Sequence, residues 1–318
     1  MHILNLNKYK YLDKFEYDFY NLNDYYLILS TPCELNKIKS ILNIDEITFN
    51  KCLNFDESIK LDLLDNYDFL SLNIFEVKDN KTIVSEINIC LANNYILVTS
   101  NEETYIYNYV RSLMKDNYIL DKTPNISLFK INYLILKEIV VNSFESLEKI
   151  EDLILELEDK MISSVKDKYL DEISEVRRIT RIIVKNIRPL LYIGDRLLKE
   201  NTRYLDYSDI KKHNLENLQR IDFRIDKLYS FAISTRELAD KLLDIYSSQV
   251  AEKTNNLITK LTLLTGISAP ITIITGIYGM NFEFMPFLKW HFGYYITIFV
   301  MFLIMILGII IFKLKKIL

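Results

Sequence analysis

The chain has 318 residues, half of them apolar, and a net charge of −4. Five of its 39 Lys and Arg but only one of its 43 Asp and Glu fall in 254–318, so the first 253 residues carry a net −8 and the tail is basic. An acidic body lacks the basic face of a nucleic-acid binder and suits one that meets cations. No phosphate loop, dinucleotide fingerprint or nucleophile elbow is present, so neither a nucleotide partner nor an enzyme is expected.

Cys33, Cys52 and Cys90 are odd in number and lack metal-site spacing, and read as reduced thiols of a cytosolic body. His2, His213 and His291 lie far apart, with no zinc-type cluster. The N-terminus, MHILNLNKYKYL, has no uninterrupted apolar core and does not read as a signal peptide.

Residues 1–125 are expected to form a mixed α/β domain. The runs 25–30, 67–77, 81–92 and 94–100 are rich in Ile, Val, Tyr and Phe at strand lengths. Lys78-Asp79-Asn80 supplies one turn and 93–95 another, giving a meander packed on helices at 34–42 and 103–116. Residues 126–207 read as a helical hairpin. Val140, Phe144, Leu147, Ile150, Ile154, Leu157 and Met161 step by three or four. The outer face of that helix holds Glu145, Glu148, Glu151, Asp152, Glu156, Glu158 and Asp159. A second helix spans about 170–200, with Pro189 expected to kink it.

The third helix is expected over 208–280, capped by Ser208. Leu215, Leu218, Ile221, Ile225, Leu228, Leu238, Leu242, Ile245 and Val250 are its apolar positions. No Pro or Gly occurs from 209 to 265, which predicts a helix of about 105 Å that runs on into an apolar span. The alternative is two helices with an unmarked break.

Two spans, 261–280 and 293–312, are long and apolar enough to cross a hydrocarbon core of about 30 Å. Lys253 and Lys260 precede the first, and Lys313, Lys315 and Lys316 follow the second in the tail 313–318. The loop 281–292 holds only Lys289, which puts both termini in the cytoplasm and the loop outside. Trp290, Tyr294 and Tyr295 would mark the outer interface. Within the first span, Thr262, Thr265, Ala269, Thr272, Gly276 and Gly279 form a small, weakly polar stripe. Leu264, Ile267, Ile271, Ile274 and Tyr278 form the opposite, bulky face. The stripe fits close helix packing or the wall of a water-lined pore closed by several copies about an axis. Pro270 frees a backbone carbonyl within this span.

At Tyr278-Gly279-Met280-Asn281 the chain resembles the CorA magnesium transporters, which carry Gly-Met-Asn at the outer end of the first of two C-terminal membrane helices. The stretch KTNNLITKLTLLTGISAPITIITGIYGMNFEFMP carries the family's pattern, and the likeness extends to Leu242-Leu243-Asp244-Ile245-Tyr246 and Arg188-Pro189-Leu190. The resemblance implies a funnel-shaped homopentamer in a lipid bilayer of the cell membrane, taking up Mg²⁺ down the membrane potential through one central pore. Gly279, Met280 and Asn281 would form the selectivity filter, with Asn281 meeting the hydrated ion. Asn255, Ile258, Leu261, Thr265, Ala269, Thr272 and Gly276 would line the pore, with Ile258 and Leu261 as its hydrophobic constriction. No cofactor is implied beyond Mg²⁺ as transported and regulatory ion, with Co²⁺, Ni²⁺ or Zn²⁺ as other cargo. Asp79, Asp222 and Asp226 are candidates for the regulatory metal, though Arg220 and Arg224 could instead satisfy Asp222 as surface ion pairs. A zinc-transporting relative and a membrane-anchored sensing protein are the competing readings. The loop departs from the family at Met285-Pro286-Phe287, where an acid often follows the proline and only Glu283 remains. Ala269 stands where a larger residue can narrow the pore.

Overall fold

The computed structural model describes residues 1–12, 19–55, 59–78, 81–115, 127–164, 166–200, 202–203, 211–280, 283, 285 and 290–314. The Asp79–Asn80 turn, Ser208 and Asn281 lie outside the described residues. Two compact units result, Met1–Leu243 and Asp244–Leu318.

The first unit is built on a seven-stranded sheet in the order β2-β1-β3-β7-β6-β5-β4. Its strands are β1 (His2–Asn5), β2 (Lys10–Leu12), β3 (Tyr26–Ser30), β4 (Lys60–Leu63), β5 (Tyr67–Lys78), β6 (Lys81–Ala92) and β7 (Tyr95–Thr99). Strands β4 to β7 form the expected antiparallel meander, and β5 and β6 pair along their whole length, from Tyr67↔Ala92 to Lys78↔Lys81. Strands β3 and β7 are parallel, so β3 joins the meander to β1, with β2 at the far edge. Both faces are covered, and for that reason the strands read as near-continuous apolar runs. One face carries Leu4, Leu27, Leu29, Leu70, Leu72, Ile87 and Ile89 into a core shared with the long helices. The other carries Ile3, Tyr26, Ile28, Phe69, Cys90 and Leu97, packed with Leu35 and Phe49.

The second face is covered by a 3₁₀ turn (Pro32–Lys37) and by α1 (Glu46–Asn54), where the sequence suggests one helix at 34–42. Asp45 caps α1 by accepting from the Thr48 N–H at 2.9 Å, and the Tyr67 hydroxyl donates to the same carboxylate. That hydroxyl bond and the Thr48 bonds hold the Asp45 carboxyl below the usual range, against the upward pull of burial. Helix α2 (Tyr105–Lys115) seats Ile106, Val110 and Met114 on the first face.

Helices α3 (Leu128–Ser163), α4 (Lys168–Lys199) and the first part of α5 (Lys211–Tyr278) extend the core. Ser127 caps α3. Its seam is the expected one, with Val140, Leu147, Ile150, Ile154, Leu157 and Met161 buried and Phe144 half-buried. Helix α4 continues through Pro189. Helix α5 is a single element of 68 residues, not two. Its buried positions step by three and four through Leu218, Ile221, Ile225, Leu228, Ala232, Thr235, Ala239, Leu242 and Tyr246. Leu238 and Ile245 are only partly buried and Val250 is exposed; the small Ala232, Thr235 and Ala239 hold the seam instead.

Candidate functional site

The second unit contains the C-terminal part of α5 and α6 (Gly293–Leu314). Both helices are long and apolar enough to cross a membrane. They pack on a defined pair of faces. On α5, Leu263 is buried and Ile267, Pro270, Ile271 and Ile274 are half-buried. On α6 the half-buried positions are Thr297, Ile298, Met301, Ile304, Met305, Gly308 and Phe312. Gly308 makes room for Ile267, whose Cγ1 would stand 3.1 Å from an added Cβ, and a Cβ added at Gly266 would stand 3.4 Å from the Phe312 ring. Of the expected bulky face, Leu264 and Tyr278 remain exposed.

The small stripe lies nearly opposite this contact, by helix geometry at 3.6 residues per turn. Thr262, Thr265, Ala269, Thr272, Gly276 and Gly279 are all exposed, as are Asn255, Ile258 and Leu261. The single chain therefore does not use the stripe to pack its two spans together. Gly276 sharpens the point: an added Cβ would meet nothing within 4 Å, so nothing inside the protomer requires glycine there.

The threonines have a common orientation. The hydroxyl of Thr262 donates to the Ile258 carbonyl at 2.8 Å, Thr265 to Leu261 at 2.9 Å and Thr272 to Ser268 at 2.9 Å. Each spends its single proton on its own helix and keeps oxygen lone pairs for an outside donor. A row of neutral acceptors suits the outward-pointing hydrogens of a hydrated cation. The helix ends after Tyr278: the Gly279 N–H donates to the Thr275 carbonyl at 2.9 Å and the Met280 N–H to Ile277 at 3.2 Å. No described glycine has positive φ, so this end is a tightened last turn and not a left-handed cap. Met280 is half-exposed.

The regulatory candidates fare differently. Asp79 is outside the described residues. The Asp222 carboxylate rests against the Gly194 backbone, where an added Cβ would collide with it. Burial pushes its carboxyl up, the like charges of Asp226 and Asp195 push the same way, and Lys199 opposes them. Lys199 is itself paired with Asp195 at 2.5 Å. Arg220 and Arg224 do not pair with Asp222 but line a shallow surface with Glu216, Gln219 and Phe223. Among the described residues no group of three or more His, Cys, Asp and Glu is arranged to hold a metal.

Three tertiary ties escaped the sequence reading. Arg203 grips the buried Asp68, with Nη1 to Oδ1 at 2.8 Å and the Arg203 N–H to Oδ2 at 2.5 Å. Asn186 of α4 accepts from Asn73 of β5 at 2.7 Å. Arg177 Nε meets Asp240 Oδ1 at 2.7 Å, fastening α4 to α5. Polar residues far apart in sequence carry no periodic signal, so only their separate burial reveals them.

An α/β domain followed by long helices and two paired apolar spans defines an integral membrane protein. The CorA-like Mg²⁺ transporter protein family matches residues 25–316, and the chain belongs to that family. The cobalt/magnesium transport protein CorA of Thermotoga maritima is 26% identical over 292 residues, covering 89% of this chain and 79% of that protein. The magnesium transport protein CorA of Helicobacter pylori is 42% identical over 76 residues, 24% of each chain. Among solved structures, the complete CorA magnesium transporter of Methanocaldococcus jannaschii has the same fold, with a TM-score of 0.83 at 20% identity over 98% of this chain and 96% of that one. Full-length CmaX shares the fold at a TM-score of 0.73 and 12% identity, over 99% of this chain and 96% of that one. Its fellow family members are transporters, not enzymes.

Proposed function

We propose that the chain is a Mg²⁺ uptake channel of the cell membrane, assembled as a homopentamer around the exposed stripe of α5. The observation that carries this is the row of outward threonines, whose protons are engaged on their own helix while the opposite face is consumed by α6. Mg²⁺ sheds water reluctantly and keeps several waters when bound. Neutral oxygens that accept from those waters hold the ion loosely enough to release it. A carboxylate wall would bind more tightly, and a lysine would repel.

Asn255, Ile258, Leu261, Thr265, Ala269, Thr272 and Gly276 line the conduit in this reading. Gly279, Met280 and Asn281 form its outer mouth, where an amide ring meets the hydrated ion. Ile258 and Leu261 are its dewetting constriction. Both termini lie in the cytoplasm, as the lysines flanking the two spans favour. A divalent ion gains roughly 4.6 kcal/mol per 100 mV on entry, at about 2.3 kcal/mol per charge, so no nucleotide is needed. Co²⁺ and Ni²⁺ are secondary cargo. Internal Mg²⁺ closes the channel through acidic sites, with Asp79, Asp222 and Asp226 as the residues to test.

The test is ion flux into proteoliposomes with and without an imposed inside-negative potential, Mg²⁺ against Zn²⁺. Voltage-driven Mg²⁺ entry is expected. Flux of Zn²⁺ with none of Mg²⁺ favours the zinc-transporting reading, and no flux of either ion refutes transport.

A further inference from the structure

Two exposed, oppositely charged stripes lie level with one another in the first unit. The Asp222 carboxylate rests on Gly194, and Arg177 meets Asp240, so α4 runs antiparallel to α5 in steady register. The ring of Phe144 on α3 stacks on Phe231 of α5, centroids 6.1 Å apart. Residue 231 is midway between 222 and 240, which places Phe144 level with about residues 185 and 186 of α4. Since α3 and α4 run in opposite directions, Glu145, Glu148 and Asp152 fall level with the stretch from Lys185 back to Arg178.

The acids Glu145, Glu148, Asp152, Glu156 and Asp159 are all exposed, on the face of α3 opposite its buried seam. Arg178, Arg181, Lys185 and Arg188 are all exposed, on the face of α4 opposite Ile179, Ile183, Ile187 and Leu190. Most of this charge is unspent. Glu156 is held by Lys160 at 2.6 Å, Arg178 by Glu175 at 2.6 Å, and Arg181 reaches Asp240 only at 4.0 Å. Among the described residues, Glu145, Glu148, Asp152, Asp159, Lys185 and Arg188 form no ion pair. Lys149 and Lys160 are the exposed cations of α3 beside the acidic stripe, and Lys160 is engaged with Glu156.

We propose that the acidic face of α3 docks on the basic face of α4 of a neighbouring copy of this chain. This rests on the oligomer read above, with α5 along the symmetry axis. A cyclic rotation carries each copy onto the next without changing height, so a ring contact joins two different patches at one level. The basic run from Arg178 to Arg188 spans about 15 Å at about 1.5 Å per residue, and Glu145 to Asp152 lies level with its Arg178–Lys185 part, with Glu156 beyond Arg178. Hydrated cations would neutralise α3 but leave α4 bare, and an acidic peptide would do the reverse. A second copy satisfies both stripes together.

The test uses the full chain in detergent carrying Cys33→Ser, with Glu145→Cys and Lys185→Cys introduced together and singly, under mild oxidation. The double variant is expected to give a ladder of covalent dimers and larger species on a denaturing gel, and neither single variant does. In a second arm, Glu145→Lys, Glu148→Lys and Asp152→Lys together raise the protein concentration needed for assembly at least about tenfold, since like charges facing each other cost several kcal/mol and about 1.4 kcal/mol is tenfold. Adding Arg181→Glu, Lys185→Glu and Arg188→Glu to that chain restores assembly. If light scattering shows the unmodified chain to be a single protomer, the oligomer reading falls and this interface with it. If the unmodified chain assembles but the double variant gives no ladder and charge reversal changes nothing, the interface is wrong and the oligomer stands.

Discussion

Replacing Arg203 with Ala removes the cation that, among the described residues, pairs with a carboxylate that is almost wholly enclosed. Asp68 is 1% exposed, and the Arg203 side chain is 26% exposed. The guanidinium also donates to the Leu64 carbonyl at 2.9 Å, to the Asp65 carbonyl at 2.5 Å and to Asn93 Oδ1 at 3.3 Å, so one side chain ties three stretches of the domain together. Removing one partner of a buried pair costs about 3–5 kcal/mol. The backbone N–H of residue 203 still reaches Asp68 in the variant, and the partial exposure of Arg203 admits water, so about 2–4 kcal/mol is the expected loss near neutral pH. At roughly 2–4 °C per kcal/mol for a domain of this size, the melting temperature should fall by about 5–15 °C. The loss should depend on pH. Burial already pushes the Asp68 carboxyl up, and Arg203 pulls it back only in part. Without Arg203 the folded domain holds a proton there more tightly than the unfolded chain does. The variant's stability is then fullest below the ordinary carboxylate range and is lost as pH rises through the raised value. Melting curves at pH 5 and pH 8 measure both effects. A variant within a degree of the parent, with no steeper pH dependence, would refute the claim that this pair anchors the domain.

Three further outcomes are expected. Gly308→Val drives a side chain into Ile267 and should weaken packing of α6 on α5 by about 1–3 kcal/mol, read as earlier thermal aggregation in detergent, whereas Gly276→Val meets nothing within the protomer and should leave it folded. Asp222→Asn removes a carboxylate raised by burial, Asp226 and Asp195. Because that raised value means proton uptake on folding, the parent loses stability as pH climbs above the unfolded carboxylate range; the variant should lack this decline and melt higher at pH 7, and a lower melting point would contradict the crowding. Asn281→Ala should abolish Mg²⁺ uptake while leaving the oligomer intact, and uptake at the parental rate would remove the amide from the filter.

How much of this was legible beforehand depends on the kind of signal. Strands β5, β6 and β7 announced themselves because doubly covered strands need long apolar runs. Strands β1, β2 and β4 did not, since four, three and four residues are too few to show a period. Helix α1 was missed although its Asp45 cap and Thr48 were a readable start. In α5 the apolar list skipped Ala232, Thr235 and Ala239, which the seam buries because neighbouring helices need small residues there; a strict three-four count from Leu218 would have found them. The stripe from Thr262 to Gly279 was visible as spacing alone. Which face met α6 was not, because periodicity defines faces without naming what covers them, and the Gly308–Ile267 and Gly266–Phe312 contacts decide it. Arg203 and Asp68, 135 residues apart, had no pattern to betray them.

The central claim is that the threonine stripe of α5 faces water. Thr272→Cys and Leu264→Cys, each with Cys33→Ser, place one thiol on the stripe and one on an exposed position well away from it. A charged, membrane-impermeant thiol reagent is then applied to proteoliposomes during Mg²⁺ uptake. The account predicts that the thiol at 272 reacts and uptake stops, while the thiol at 264 stays unmodified and uptake continues. Rapid modification at 264 with an inert, harmless thiol at 272 would contradict it.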